Sequence, residues 1–277
     1  DTRKNGGWLA VSMLTREEAK RYGEYVGKLD TMYRTLSGDY DPKDVVAAVF
    51  NARHYDKTRK GLARTLLDAG VGYIPKDSNP SPGEVAGLGI LDERGRNLQA
   101  GRYILPVRDY YGKPVALVGW YPDKRKYMTT AGELFSKAKL FYGLEQYPFE
   151  EGAPLFLCEG MFDTLAIRSC GLPALGVMGV EMSDDKHMLL EAVAAGRRVV
   201  GVPDQDEAGE NVARNDKWGL LELGGCYLRW DRESLIDGHS IKDADDLINF
   251  VGERAGAGIL RSAARQETKR VVLRLQV

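Results

Sequence analysis

Short apolar runs alternate with amphipathic segments through the second half of the chain. The runs are only four or five residues long, which is ordinary for a buried strand and too short for a helix. Segments with helical spacing lie between them, near 162–169, 183–195 and 208–223, and glycines follow where helices should end. The runs themselves are 155–158, 174–177, 199–202 and 226–230. Strands linked by crossover helices predict an α/β fold, with a parallel sheet and helices on both faces.

The N-terminal part of the chain shows helical periodicity instead. Thr15 and Glu18 have the spacing of a capping box, and apolar residues recur at helical intervals after them. Asp41-Pro42 predicts the start of a second helix, and a third is expected over 62–68. A loop rich in proline and glycine follows. The pattern predicts a helical subdomain with a linker over residues 1–95.

Residues 96–152 predict a basic segment of mixed α/β structure. Two apolar runs, 101–109 and 114–120, flank a turn with Gly112, which predicts an antiparallel hairpin. Lysines and arginines interleave with tyrosines and phenylalanines from the hairpin to residue 143, as contact with phosphates and stacking on bases would require. An exposed basic hairpin with a few core aromatics would show the same pattern, so both interpretations stay open.

The net charge of −1 conceals an uneven distribution. From residue 94 to 139 there are ten Lys/Arg against three Asp/Glu, and from 155 to 251 there are nine against eighteen. A basic segment beside an acidic one suits a protein that holds a polyanion on one surface and a metal on another. Two solvated faces that differ by chance would give the same counts.

Membrane insertion and secretion are not indicated by the sequence. No apolar run approaches the roughly 20 residues that span a bilayer, and no signal peptide is visible. Cys158, Cys170 and Cys226 are odd in number and widely spaced, which argues against a disulfide framework and a zinc knuckle. We therefore expect a cytoplasmic protein with no membrane partner.

Carboxylates follow the ends of the predicted strands. Glu159 comes directly after the run 155–158, and Asp204 and Asp206 follow the run 199–202. Because the carboxyl ends of parallel strands meet at one edge of a sheet, these acids should lie close together. Carboxylate oxygens are the ligands that Mg²⁺ prefers, so we predict a metal site. The candidate ligands are Glu159, Asp163, Asp204, Asp206, Asp243 and Asp245. Asp163 has an alternative role, as a first-turn acid at a helix N-terminus.

In this combination residues 154–251 resemble a Toprim domain, the metal-binding module shared by primases, type IA and type II topoisomerases and some nucleases. The matching elements are Glu159 at a strand end, the pair Asp204 and Asp206, and the pair Asp243 and Asp245. The resemblance implies a Toprim-type parallel sheet flanked by helices over 153–251. Residues 252–277 would then be a basic C-terminal extension.

The basic half resembles the segment that precedes the Toprim module in bacterial and phage DnaG-type primases. The run 102–119 carries this resemblance, together with Lys126-Tyr127 and residues 135–143. Residues 70–75 and 89–91 resemble the N-terminal subdomain of the same family. The similarity covers about residues 45–250 with its elements in order, and it implies the RNA-polymerising core of a primase.

That resemblance implies template-directed synthesis of short RNA primers on single-stranded DNA from ribonucleoside triphosphates. Glu159, Asp204 and Asp206 would be catalytic, and all six acids would bind Mg²⁺ or Mn²⁺ as two ions, with Asp163 and Asp245 in outer or orienting positions. The residues implied to contact nucleotide or DNA are Arg102, Arg108, Lys126, Tyr127, Lys137 and Lys139. A replicative helicase is a further partner that the resemblance suggests.

Two other functions remain open at this stage. One is a different Toprim enzyme, a nuclease or a topoisomerase, although a topoisomerase would need a nucleophilic tyrosine on a further domain. The other is a non-catalytic DNA-binding protein that interferes with replication and keeps the fold. The complete set of acids argues against the second.

Overall fold

The chain folds into two compact units, seen in a computed structural model that describes residues 15–273 except 39, 125, 131, 133–135, 231–234 and 237–238. The first unit contains Asp1–Lys57 and Leu66–Ser136, and the second contains Thr58–Thr65 and Lys137–Val277. The chain passes between the units three times, and one of these boundaries, between residues 65 and 66, falls within helix α3 (Lys60–Asp68). Each unit is described by itself below.

Helices α1 (Arg16–Ser37), α2 (Pro42–Arg53), α3 (Lys60–Asp68) and α4 (Pro82–Val85) account for the N-terminal periodicity. The predicted capping box is confirmed at α1. Thr15 Oγ1 accepts from the backbone N–H of Glu18 at 3.2 Å, and Glu18 Oε2 accepts from that of Thr15 at 2.7 Å. Two backbone donors that the helix leaves unpaired are thereby satisfied.

An antiparallel sheet completes the first unit. Its strands are β1 (Gly72–Ile74), β2 (Arg102–Arg108), β3 (Pro114–Tyr121) and β4 (Lys126–Thr129), in the order β1-β2-β3-β4. The predicted hairpin is confirmed as β2 and β3, and Gly112 adopts the left-handed φ of 74° in its turn. Helix α1 is tied to the sheet by the hydroxyl of Tyr25, which donates to the carbonyl of Val115 at 3.1 Å.

A parallel sheet forms the centre of the second unit, as the apolar runs predict. Its strands are β5 (Leu155–Cys158), β6 (Ala174–Gly176), β7 (Val199–Val202), β8 (Cys226–Trp230) and, after the short antiparallel pair β9 (Leu235–Ile236) and β10 (His239–Ser240), β11 (Arg270–Leu273). The strand order is β11-β8-β7-β5-β6, and every pairing is parallel. The C-terminal segment thus supplies a fifth strand at one edge.

Helices cover both faces of this sheet. They are α5 (Met161–Ser169), α6 (Asp184–Ala194), α7 (Glu207–Arg214), α8 (Ala244–Val251) and α9 (Glu253–Ala264). One core packs Leu247 and Leu260 with Phe156, and the other packs Leu190 with Leu157. Within the described residues, no helix combines the length and the apolar character needed to cross a bilayer.

Helix α7 is shorter than the expected segment 208–223. It ends at Arg214, and Asp216 follows with a left-handed φ of 47°. The carboxylate of Asp216 accepts from the N–H groups of Leu220 and Leu221 at 2.8 and 3.1 Å, and from the hydroxyl of Tyr227 at 2.7 Å. Local aspartate contacts of this kind stabilise a turn against a helix, so the apolar period beyond Arg214 belongs to a folded loop.

Candidate functional site

Glu159 and Asp204 follow the ends of two adjacent strands, β5 and β7. Cys158 at the end of β5 pairs with Val202 at the end of β7, which brings Glu159 next to the loop that begins at Pro203. The N–H of Asp204 donates to Oε1 of Glu159 at 3.2 Å. The strand ends therefore bring together Glu159 and Asp204, as predicted from their positions after the apolar runs.

Two of the remaining acids cap helices. Asp206 is the N-cap of α7, where its Oδ1 accepts from the N–H of Gly209 at 2.9 Å. Asp243 is the N-cap of α8, where its Oδ1 accepts from the N–H of Asp246 at 2.7 Å. Because a carboxylate has two oxygens and about four lone-pair sites, capping through one oxygen is compatible with binding a cation through the other.

A backbone hydrogen bond joins these two capping loops. The N–H of Gln205 donates to the carbonyl of Lys242 at 2.6 Å. Gln205, which lies between Asp204 and Asp206, is thus bonded to Lys242, which precedes Asp243. Three stretches that are far apart in sequence form one continuous edge.

Asp163 and Asp245 are buried, and they are in contact with each other. Asp163 is buried on α5, and its Oδ1 accepts from the N–H of Asp245 at 3.1 Å. It therefore satisfies a donor at the N-terminus of α8, and it also lies in the first turn of its own helix, the alternative position that the sequence suggested. The carboxylate of Asp245 is 3.4 Å from Nη1 of Arg59, and both side chains are 3% exposed.

The acids repel one another. Burial, followed by repulsion from Glu159, Asp243 and Asp206, raises the pKa of Asp204 to about 7. Burial first, and then Asp163 and Asp245, raise the pKa of Asp243 well above its usual range. The pKa of Glu159 is raised as well, mainly by burial. Carboxylates that resist ionisation in the absence of a counter-ion gain most from a divalent cation.

A pH dependence of stability follows for the metal-free protein. The unfolded pKa of Asp204 is 3.8 and the folded pKa is about 7, so between these values the folded chain binds more protons than the unfolded chain. The free energy of unfolding must therefore fall as pH rises through this window, by on the order of a few kcal/mol from this group. We expect the unfolding temperature, measured in the presence of a chelator, to fall as the pH rises through this window.

Asp204→Asn is the control, because an amide does not titrate in this range. The decline between about pH 4 and 7 should be clearly shallower in this variant, and Mg²⁺ should raise the unfolding temperature of the parent at neutral pH. Identical pH profiles for the parent and Asp204→Asn would contradict the raised pKa of Asp204.

The acids are not gathered into a finished metal cage. Within the described residues, no three His, Cys, Asp or Glu side chains stand close enough together to hold a metal ion. The donor set nevertheless fits a hard divalent cation, because it consists of carboxylates, and burial and mutual repulsion raise the pKa values of Glu159, Asp204 and Asp243. The metal assignment of the six acids stays a prediction.

Comparison with known proteins identifies the part of the chain that carries these acids. Residues 156–248 match the Toprim-like family model Toprim_2, a range that includes the strand ends and all six acids. The chain carries a Toprim-like domain. Curated protein sequences contain no match to the chain.

Solved structures resemble most of the chain, including the first unit. The RNA polymerase domain of DnaG primase from Mycobacterium tuberculosis is 18% identical, with a TM-score of 0.65 over 86% of this chain and 83% of that one. A DnaG catalytic domain bound to single-stranded DNA is 19% identical, with a TM-score of 0.65 over 88% and 80%. The E. coli primase catalytic core is 20% identical, with a TM-score of 0.60 over 86% and 79%. The chain therefore has the fold of a DnaG-type primase catalytic core.

Four of the six predicted nucleotide-contacting residues lie in the first unit. Arg102 Nε donates to the carbonyl of Leu98 at 2.9 Å, and Arg108 Nη1 donates to that of Gly112 at 2.9 Å in the hairpin turn. Both arginines thus donate to a backbone carbonyl of their own unit in addition to carrying a positive charge. Tyr127 on β4 is 46% exposed, as a stacking residue would be. The backbone of Lys126 belongs to β4, and its side chain lies outside the described part, as does Phe135.

The other two, Lys137 and Lys139, lie on a short 3₁₀ turn ahead of the Toprim-like domain and are exposed. Lys139 is 3.5 Å from Asp185, a surface ion pair of little energetic weight. Lys186 lies buried nearby and donates to the carbonyl of Val177 at 2.6 Å. Burial and then the charge of Lys137 lower the pKa of Lys186 to about 8. The amines of Lys137 and Lys186 are therefore electrostatically coupled.

Sequence reasoning missed two arginines of the second unit. Arg59 is separated from its partner Asp245 by 186 residues, and no local pattern indicates the pairing. Arg229 interrupts the apolar strand β8 and is buried, at 3% side-chain exposure. A charged residue within an apolar run was the available signal for Arg229, since such a residue needs a dedicated partner.

Proposed function

We propose that this chain is a primase catalytic core that synthesises short RNA primers on single-stranded DNA from ribonucleoside triphosphates by divalent-metal-dependent nucleotidyl transfer. The observation that carries the proposal is the line of carboxylates at the carboxyl edge of the Toprim-like sheet, in a chain with the fold of primase cores. Neither alone is sufficient, since the acids fit several Toprim enzymes and the fold fixes no activity.

In this proposal Glu159, Asp204, Asp206 and Asp243 would hold one or two Mg²⁺ or Mn²⁺ ions. A divalent cation there would stabilise negative charge on the phosphoryl oxygens and assist ionisation of the attacking 3′-hydroxyl. The helix-capping bonds of Asp206 and Asp243, and the backbone bond from Gln205 to Lys242, would keep these carboxylates in position. Asp163 and Asp245 would orient the others, because Asp163 accepts from the backbone N–H of Asp245 and the carboxylate of Asp245 lies beside Arg59.

The basic residues would hold the substrates. Lys137 and Lys139 are exposed and suited to triphosphate, and Arg102, Arg108 and Tyr127 are suited to template backbone and bases. A DnaG catalytic domain of the same fold has a solved structure bound to single-stranded DNA, which supports a single-stranded template as the partner. We also propose a replicative helicase as a partner.

A primer-free synthesis assay tests the function. The chain is incubated with single-stranded DNA, labelled ribonucleotides and Mg²⁺ or Mn²⁺, and the products are separated by length. Short RNA that requires both template and metal supports the proposal. Nicked or relaxed DNA without RNA would indicate a nuclease or a topoisomerase, and DNA binding without any reaction would indicate a non-catalytic protein.

A second prediction concerns nucleotide binding by Lys137. Lys137→Ala should raise KM for ribonucleotides by about 10-fold, because a charge-assisted contact to phosphate contributes roughly 1.5–3 kcal/mol. The value of kcat should change much less if the contact is equally strong in the ground state. Lys269→Ala, which also removes one exposed lysine of the same unit, is the matched control and should leave KM unchanged. Equal KM values in the two variants would remove Lys137 from the substrate site.

A further inference from the structure

Arg229 contacts the backbone of the loop that carries Asp204 and Asp206. Its Nη1 donates to the carbonyl of Pro203 at 3.4 Å and to the carbonyl of Asp204, and its Nη2 donates to the carbonyl of Asp206 at 3.3 Å. One planar guanidinium thus bridges three carbonyls of a four-residue segment. A lysine could not reproduce this, since an ammonium is a point charge on a flexible stem.

The guanidinium is itself held by an acid. Nε of Arg229 is 3.5 Å from Oε2 of Glu210 on α7. Glu210 in turn accepts two hydrogen bonds from Arg270 on the edge strand β11, at 3.0 and 2.8 Å. This forked arrangement fixes the carboxylate in both position and orientation. The C-terminal strand β11 is thereby linked, through Glu210 and Arg229, to the loop that carries Asp204 and Asp206.

The loop packs closely against the first turn of α7 at Gly209. A Cβ added to Gly209 would lie 1.9 Å from the carbonyl oxygen of Asp204 and 3.0 Å from Nη1 of Arg229. Gly209 also donates its N–H to Asp206. The loop, the first turn of α7 and the guanidinium therefore pack as one unit, in which a shift of Arg229 displaces the backbone beneath both aspartates.

We propose that Arg229, fixed by Glu210 and Arg270, is a positioning residue that sets the orientation of Asp204 and Asp206 for metal binding. The inference rests on the proposed metal site and goes beyond it, since it assigns a role to the edge strand β11 that the sequence did not reveal. Partners that orient metal ligands in this way typically change metal affinity by 10- to 100-fold when removed.

Mn²⁺ binding to the purified chain tests the proposal without relying on catalysis. We expect Arg229→Lys to weaken Mn²⁺ binding by about 10-fold in calorimetric or electron paramagnetic resonance titrations. Glu210→Gln, at a partly exposed site, should weaken it by about 3-fold or more, since the arginine loses its counter-charge. Arg214→Gln is the matched control, because Arg214 also contacts Glu210, at 3.3 Å, and is 70% exposed. Its Mn²⁺ affinity should equal that of the parent.

A readout on activity separates positioning from general damage. In the primer assay the Mg²⁺ concentration for half-maximal rate should rise in Arg229→Lys, while the rate at saturating Mg²⁺ should approach that of the parent. If Arg229→Lys fails to fold, Glu210→Gln decides the question. Unchanged Mn²⁺ affinity in the folded variants, or a parent chain that binds no Mn²⁺, would overturn the proposal. A parent that binds Mn²⁺ and makes no RNA would instead overturn only the primase function.

Discussion

Asp204→Asn should reduce primer synthesis by more than about 100-fold, a larger loss than removal of an outer partner of a metal ligand would cause. Burial, together with repulsion from Glu159, Asp243 and Asp206, raises the pKa of Asp204 to about 7, so this carboxylate gains from a nearby cation. The amide keeps the shape and the backbone contact to Glu159 and removes one negative charge. Cation binding should therefore weaken at unchanged fold.

Stability should move in the opposite direction to activity. In the metal-free protein at neutral pH, Asp204→Asn relieves repulsion among the acids, so the unfolding temperature should stay the same or rise. Asp184→Asn is the control, since Asp184 is an exposed acid in the first turn of α6 and belongs to no predicted site. It should leave synthesis near the parent level. Parent-like synthesis by Asp204→Asn, measured with saturating template and nucleotides, would remove Asp204 from the metal site.

The sheet of the second unit could be predicted closely because its strands are buried on both faces. Such strands are continuous apolar runs with abrupt ends, and β5, β7 and β8 begin and end where the runs do. The positions of Glu159 and Asp204 follow from those ends. Helix α7 was overpredicted because apolar spacing continues past Arg214, and the turn around Asp216 depends on a tyrosine from the next strand.

The supporting contacts of the site could not be predicted in the same way. Local patterns report which face of an element is buried, and they do not report which distant side chain meets it. Arg59 lies just before α3 and Asp245 lies on α8, so only the folded chain brings them together. The helix-capping roles of Asp206 and Asp243 are local, and the N-cap preference for aspartate ahead of each helix made them predictable in principle.

Arg59→Met should destabilise the chain by about 3–5 kcal/mol, because it leaves the buried carboxylate of Asp245 without its arginine. The pair is almost fully enclosed, so solvent cannot replace the lost partner, unlike at an exposed ion pair. Lys217→Met removes the lysine of such a pair, 3.3 Å from the exposed Glu181, and should cost no more than about 1 kcal/mol. Chemical denaturation of the three proteins gives the comparison.

The double variant Arg59→Met/Asp245→Leu distinguishes a paired charge from simple packing. If the cost of Arg59→Met is that of an uncompensated buried carboxylate, removing Asp245 as well should restore a large part of the lost stability. Primer synthesis should not recover with it, because the proposed orienting carboxylate of Asp245 is also gone. Additive losses in the double variant would mean that the two side chains act independently. Recovered stability without recovered synthesis would mean that the charge of Asp245 is needed to orient the site and is not needed for folding.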